Sequence, residues 1–259
     1  MPRPCRVRIS APMAIREKAK KLDRVLKALE KFYSRSVLPE GTDPLERLIF
    51  CWLFFTNPVT NARKAVKMLE DENVFGDWNE VRVATQRELE DVFKEARIED
   101  AESLAPRIKT FLQNVFEELD DTALEPLKEL KPDKAKKFLA SLEGLPSWAI
   151  TYMLVTLGLD TQVPWDPHTE RVGARIRLFD PNAALPQRKK LLRAALQDDD
   201  PLRLHHLFVE HGKKTCTEED PKCPKCPVNK DCEYYLRRGA RASKAEAGGN
   251  GTKAAKKKG

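Results

Sequence analysis

Four of the six cysteines, Cys216, Cys223, Cys226 and Cys232, fall within 17 residues at the spacing C-x6-C-x2-C-x5-C. Four thiolates complete either the tetrahedron of a zinc ion or the corners of an iron–sulfur cubane. Zinc sites usually present two close pairs. Here one close pair is flanked by two outlying cysteines, which favours the cluster. Cys5 and Cys51 stand alone. Clustered cysteines in a reducing interior read as metal ligands rather than disulfides. A second candidate is Asp166, which precedes Pro167. Asp-Pro is a preferred N-cap and N1 pair, so this carboxylate is expected to open a helix.

The elements that must position these groups are helical. Leu22, Val25, Leu26, Leu29 and Phe32 recur at the spacing of one amphipathic helix, as do Ile108, Phe111, Leu112, Val115, Phe116 and Leu119. Leu45 to Phe55 and Trp148 to Leu159 are apolar on nearly every side and predict buried helices. Val172, Ile176 and Phe179 lie on one face of the helix that Asp166 opens, and Asp43-Pro44 opens another. No stretch alternates as a strand would, and no fixed repeat occurs. The fold class is therefore all-α.

Composition limits the partners. The hydrophobic share is 41% and the charged share 34%, and no apolar run approaches the roughly 20 residues of a membrane span. The basic N-terminus lacks a continuous apolar core, so no secretory signal is read, and Met13 offers an alternative start. The net charge of +7 is carried entirely by residues 237–259, which hold eight basic residues against Glu246. Residues 1–21 are also basic, which leaves residues 22–236 at about −6. A nucleic-acid face on that body must be a local patch. From Gly239 onward the sequence predicts a disordered basic tail.

Two segments carry a family resemblance. HHLFVEHGKKTCTEEDPKCPKCPVNKDCEYY, residues 205–235, resembles the iron–sulfur segment of endonuclease III. LEGLPSWAITYMLVTLGLDTQVPWDPHTERVGARIRLF, residues 142–179, is similar to the helix-hairpin-helix and catalytic loop of the same superfamily, with its pattern L-P-G-V-G-x-K-T-A and V-D-T-H-x-x-R-V. The resemblance implies that the four cysteines hold a [4Fe-4S] cluster whose loop faces the DNA backbone through Lys213, Lys214 and Lys222. It places Gly144 and Ser147 in the DNA-binding hairpin and puts Asp166 on the essential aspartate, with His168, Arg171 and Val172 matching. A carboxylate is needed there because N-glycosidic cleavage develops positive charge on the sugar of a flipped-out nucleotide.

The chain departs from the pattern in three places. Trp148 stands where the family has its Schiff-base lysine, and no lysine occurs from residue 138 to 188, so no efficient β-lyase activity is expected. Pro146 replaces the second hairpin glycine and has no N–H for a phosphate. In DPLERLIFCWLFFTNPVTNARKA, residues 43–65, Thr56 falls on the wedge glutamine and Trp52 on the glutamate of adenine-specific members. Trp52, Trp148 and Trp165 are then expected to line the base pocket, where stacking suits an electron-poor alkylated base.

The expected architecture is the two-lobed helix-hairpin-helix glycosylase fold, a six-helix barrel plus an iron–sulfur lobe. Residues 1–41 give a basic N-terminus and the first helix of that lobe, 42–163 the barrel with its hairpin, 164–238 the catalytic loop and cluster region, and 239–259 the tail. The expected function is base excision repair by a monofunctional DNA N-glycosylase, monomeric and intracellular, acting on double-stranded DNA with a damaged base. The alternative is a protein of the same fold that recognises lesions without cleaving. Electron transfer through the cluster has no specific sequence support.

Overall fold

Both Asp-Pro pairs open helices. Asp43 Oδ1 accepts from the amides of Leu45 (2.6 Å) and Glu46 (3.2 Å), and Asp166 does the same for His168 and Thr169. In each case proline fills N1, where its missing N–H costs nothing. The structure is a computed structural model and describes residues 13–33, 39, 41–197 and 199–238. The expected basic tail and the residues before Met13 lie outside the described residues.

Eleven α-helices are described: α1 Met13–Tyr33, α2 Pro44–Thr56, α3 Val59–Leu69, α4 Trp78–Val83, α5 Gln86–Glu95, α6 Ala101–Leu119, α7 Pro132–Ser141, α8 Ser147–Thr156, α9 Pro167–Arg175, α10 Leu185–Leu196 and α11 Pro201–Lys214. No strand occurs among the described residues, so the all-α fold class holds. The helices sort into two packed groups. α2 to α8 contact one another, α1 contacts α10 and α11, and α9 contacts α11. α11 bridges the groups by also touching α2 and α8. That position explains why Leu202 and every residue from Leu204 to Gly212 are buried.

Two periodicity readings end differently from expectation. On α1, Leu22, Val25, Leu26 and Leu29 are buried, but Phe32 is 54% exposed. Tyr33 takes the inward place instead, because its hydroxyl meets His211 Nδ1 (2.9 Å) and Thr215 Oγ1 (2.6 Å). Phe179 is buried but does not extend the face of α9, which stops at Arg175. Arg177 at φ 61° turns the chain, and the Phe179 ring packs back against Gly173, where a Cβ would meet it at 2.5 Å.

Candidate functional site: a buried carboxylate beside a thiol-lined loop

The hairpin runs from α7 through residues 142–146 into α8. Gly144 has φ +80°, and a Cβ there would lie 2.7 Å from the Arg107 carbonyl, so this position needs glycine twice over. Pro146 is the N-cap of α8 and supplies no side-chain cap. The first amides of α8 therefore lack a capping side chain, and Ser147 beside them is exposed. A helix N-terminus in this state suits an anion.

Trp148, one residue further on, is buried and forms the middle of an aromatic column. Phe55 stacks on it nearly parallel (5.0 Å between ring centres, 10° between planes), and His205 lies on it at 5.6 Å and 30°. The Phe55 ring also meets His168 edge-on at 5.2 Å. The other two tryptophans expected in this pocket lie in other surroundings. Trp52 packs edge-on against Phe111, with Arg107 over its ring at 5.3 Å. Trp165 packs on Phe179 and donates from Nε1 to Glu170 Oε2 at 2.9 Å, with Arg188 over its ring. α2 and α8 are apolar on all sides, so their sequences do not say which way each indole points.

Asp166 ends in this neighbourhood with no exposed side-chain surface. Oδ1 accepts from the His168 amide (2.6 Å) and the Thr169 amide (3.1 Å), and Oδ2 accepts from Thr169 Oγ1 (2.7 Å). His205 Nδ1 lies 3.1 Å from Oδ2, too bent for a straight hydrogen bond. Burial alone would push this carboxyl up, but His205 and the Thr169 hydroxyl and amide outweigh it and hold Asp166 below the usual carboxylate range. Burial lowers His168 to about 4, so its ring is neutral and its Nδ1 accepts from Arg171 Nη2 at 2.9 Å.

Arginines of α9 join this end of the site to the cysteines. Arg171 Nε donates to the Cys216 carbonyl at 2.8 Å, and Arg175 donates to the carbonyls of Cys216, Thr217 and Glu218. Arg175 Nη1 is also 3.3 Å from Cys216 Sγ. All four cysteines line one cavity together with His211, Thr215 and Tyr234. Burial pushes the Cys226 thiol up to about 11 and raises Cys232, and the neighbouring cysteines add to both shifts. Among the described residues no three Cys, His, Asp or Glu side chains converge as ligands of a single ion.

The three lysines expected to face DNA separate. Lys222 is exposed. Lys214 is half-exposed and paired with Glu210. Lys213 turns inward, which corrects its expected role. Its Nζ donates to the carbonyls of Phe54 and, at 2.8 Å, Asn57, and sits 3.6 Å above the Phe54 ring. It answers the unpaired carbonyls and negative end of α2. Burial lowers the amine to about 8 against the pull of Glu210. Phe55, His205 and Arg175 carry no signal in the sequence that marks them for this site; His205 and His206 open the segment 205–235 that resembles the iron–sulfur region.

No protein-family model matches the chain. It is 30% identical over 126 residues to endonuclease III of Sulfolobus acidocaldarius, taking in 49% of this chain and 56% of that one. It is 26% identical over 176 residues to the Arabidopsis thaliana DNA glycosylase/AP lyase ROS1, which covers 61% of this chain and 12% of the relative. The chain thus matches about half the length of the first relative and about an eighth of the second. Among solved structures, a thermostable thymine-DNA glycosylase superposes with a TM-score of 0.61 at 18% identity, covering 86% of this chain and 99% of that one. A non-covalent endonuclease III–DNA complex gives 0.59 at 17% identity, covering 86% and 98%. The chain is similar to endonuclease III over those 126 residues and shares the all-α fold of the two solved structures.

Proposed function

We propose that this endonuclease III-like chain acts in base excision repair, binding double-stranded DNA and hydrolysing the N-glycosidic bond of a damaged base without efficient strand cleavage. The observation that carries this reading is Asp166, a carboxylate held ionised at a helix N-terminus within the shell that includes Trp148. An ionised carboxylate stabilises the oxocarbenium-like sugar as the base leaves. An indole at the family's lysine position cannot form a Schiff base. The stacking face falls to the partly buried Phe55, which itself stacks on Trp148, rather than to three tryptophans, and an electron-poor alkylated base suits such a face.

Phosphate contacts are assigned to Gly144, to Ser147 with the first amides of α8, and to the exposed Lys222 and Lys214. No helix among the described residues is long and apolar enough to cross a membrane. The four cysteines line one cavity, and four thiolates with one close pair flanked by two outlying cysteines fit a [4Fe-4S] cluster. Arg175 beside Cys216 Sγ offers positive charge to the thiolates. A bound cluster would fix the loop that carries Lys222, and no step of the chemistry passes through it.

A second reading, recognition of lesions without cleavage, is favoured by one feature. Asp166 has no exposed surface, so a sugar reaches it only if part of the surrounding shell moves. Base release from a panel of lesion-bearing duplexes separates the two. Release by the wild type that disappears in Asp166→Asn supports hydrolysis; tight binding with no release leaves only the second reading. Borohydride trapping tests the lyase step. No trapped complex is expected, and a complex lost on Lys213→Gln would assign the nucleophile to that amine.

A further inference from the structure

His205 is fully buried on α11 and is held on several sides. Trp148 and Tyr152 lie against its ring at 5.6 and 5.8 Å, and Cys51 Sγ lies 3.6 Å from Nε2. Its Nδ1 has no aligned hydrogen-bond acceptor, and its neighbour at 3.1 Å is Asp166 Oδ2. A buried imidazole nitrogen beside a buried carboxylate costs free energy unless a proton lies between them. The proton can be placed. Burial pushes the Cys51 thiol well above its ordinary value, so it remains S–H and can donate to Nε2 at 3.6 Å. The ring hydrogen is then on Nδ1, the nitrogen that lies 3.1 Å from Asp166 Oδ2.

We infer that His205 is the positioning residue of Asp166, holding Oδ2 from a second helix while Cys51 fixes the tautomer that lets it do so. The other three donors to Asp166 come from α9 itself: the His168 amide, and the amide and hydroxyl of Thr169. They hold the carboxylate to α9, whereas His205 ties it directly to α11, which packs against α9, α2 and α8. Other titratable groups act on this neighbourhood: Cys51 and Arg47 from α2, Tyr152 from α8, His168 from α9 and Lys213 from α11. His205 is distinguished by direct contact with the carboxylate. The role rests on the hydrolytic reading of Asp166; the contact itself does not.

Two substitutions separate the ring nitrogens, since asparagine places an amide near Nδ1 and glutamine places one near Nε2. The full-length, cluster-loaded protein is assayed for single-turnover base release across pH. His205→Gln is expected to lose roughly tenfold to a hundredfold in rate. Its acidic limb should rise by about one pH unit, because a buried carboxylate that loses a donor protonates more easily. His205→Asn is expected to recover most of both. Rates and limbs equal to wild type in both variants would overturn the inference, as would equal losses in both. Should His205→Gln fail to fold, Cys51→Val removes the Nε2 donor instead. An upward shift of its acidic limb supports positioning, and an unshifted limb overturns it.

Thermal unfolding of Asp166→Asn, His205→Gln and the double variant at pH 7 needs no catalysis. A double variant whose midpoint falls by clearly less than the sum of the single losses supports the contact, and strict additivity overturns it. If the wild type releases no base while the cycle is non-additive, the hydrolytic reading fails and the contact stands.

Discussion

Lys213 and Lys222 should behave as opposites, although both belong to the lysine-rich approach to the cysteine loop. Lys213→Met removes a charged amine from the carbonyls of Phe54 and Asn57 and from the Phe54 ring. It also leaves Glu210, itself 1% exposed, with Lys214 as its remaining cationic partner. Charged hydrogen bonds contribute about 1.5–3 kcal/mol each and a buried, half-paired carboxylate costs more. The methionine side chain retains packing, so the net loss should be about 2–4 kcal/mol. That is a large fraction of the roughly 5–15 kcal/mol by which domains are stable. Lys222→Met, at an exposed position, should cost under about 0.5 kcal/mol. DNA binding should show the reverse. The salt dependence of affinity should flatten by about 0.9 in log–log slope for Lys222→Met, the loss of one phosphate contact, and hardly change for Lys213→Met. Denaturant titration and binding isotherms at several salt concentrations read both quantities. A Lys213→Met protein of wild-type stability with a flattened slope would refute the inward reading.

The remaining expectations concern the hairpin, acid and the cysteines. Gly144→Ala forces a side chain onto φ +80° and into the Arg107 carbonyl, so it should cost at least about 1–2 kcal/mol and weaken DNA binding; unchanged melting would contradict the geometry. His168 and His206 are pushed down by burial, His168 to about 4, so the unfolded chain binds more protons than the folded one below its ordinary histidine value of 6.5. Stability should therefore be complete above about pH 6.5 and fall toward pH 4 by up to about 1.4 kcal/mol per unit per histidine. Asp166, held low, should add its loss only below 3.8; a melting temperature flat from pH 7 to 4 would contradict the histidine expectation. Replacing Cys223 or Cys226 by serine should abolish stoichiometric iron and sulfide in the purified protein, whereas protein carrying zinc instead would overturn the cluster assignment.

What the sequence made legible follows from what it encodes locally. The Asp-Pro pairs named two helix starts because capping is a matter of adjacent residues. The cysteine spacing predicts a metal loop because ligand number and order are sequence properties, and the structure brings the four thiols to one cavity. Side-chain direction was lost wherever periodicity was absent. Trp52 and Trp148 sit on helices with no polar face, and only packing against Phe111 in one case and Phe55 in the other decides their roles. Lys213 and Lys214 look alike in sequence, yet one helical step of about 100° turns the first onto α2 and leaves the second half-exposed. His205 was unreadable as a partner of Asp166 because they meet across two helices separated by 39 residues.

Hydrolysis of a glycosidic bond by Asp166, in a shell that lacks the lysine, is the activity proposed for this chain. Its most direct measurement is single-turnover base release from duplexes carrying alkylated, oxidised, deaminated or mismatched bases, comparing wild type with Asp166→Asn at equal DNA occupancy. The account predicts release of at least one damaged base by the wild type, with a loss of several orders of magnitude in the variant. Equal DNA binding by both proteins with no base released from any duplex would contradict it.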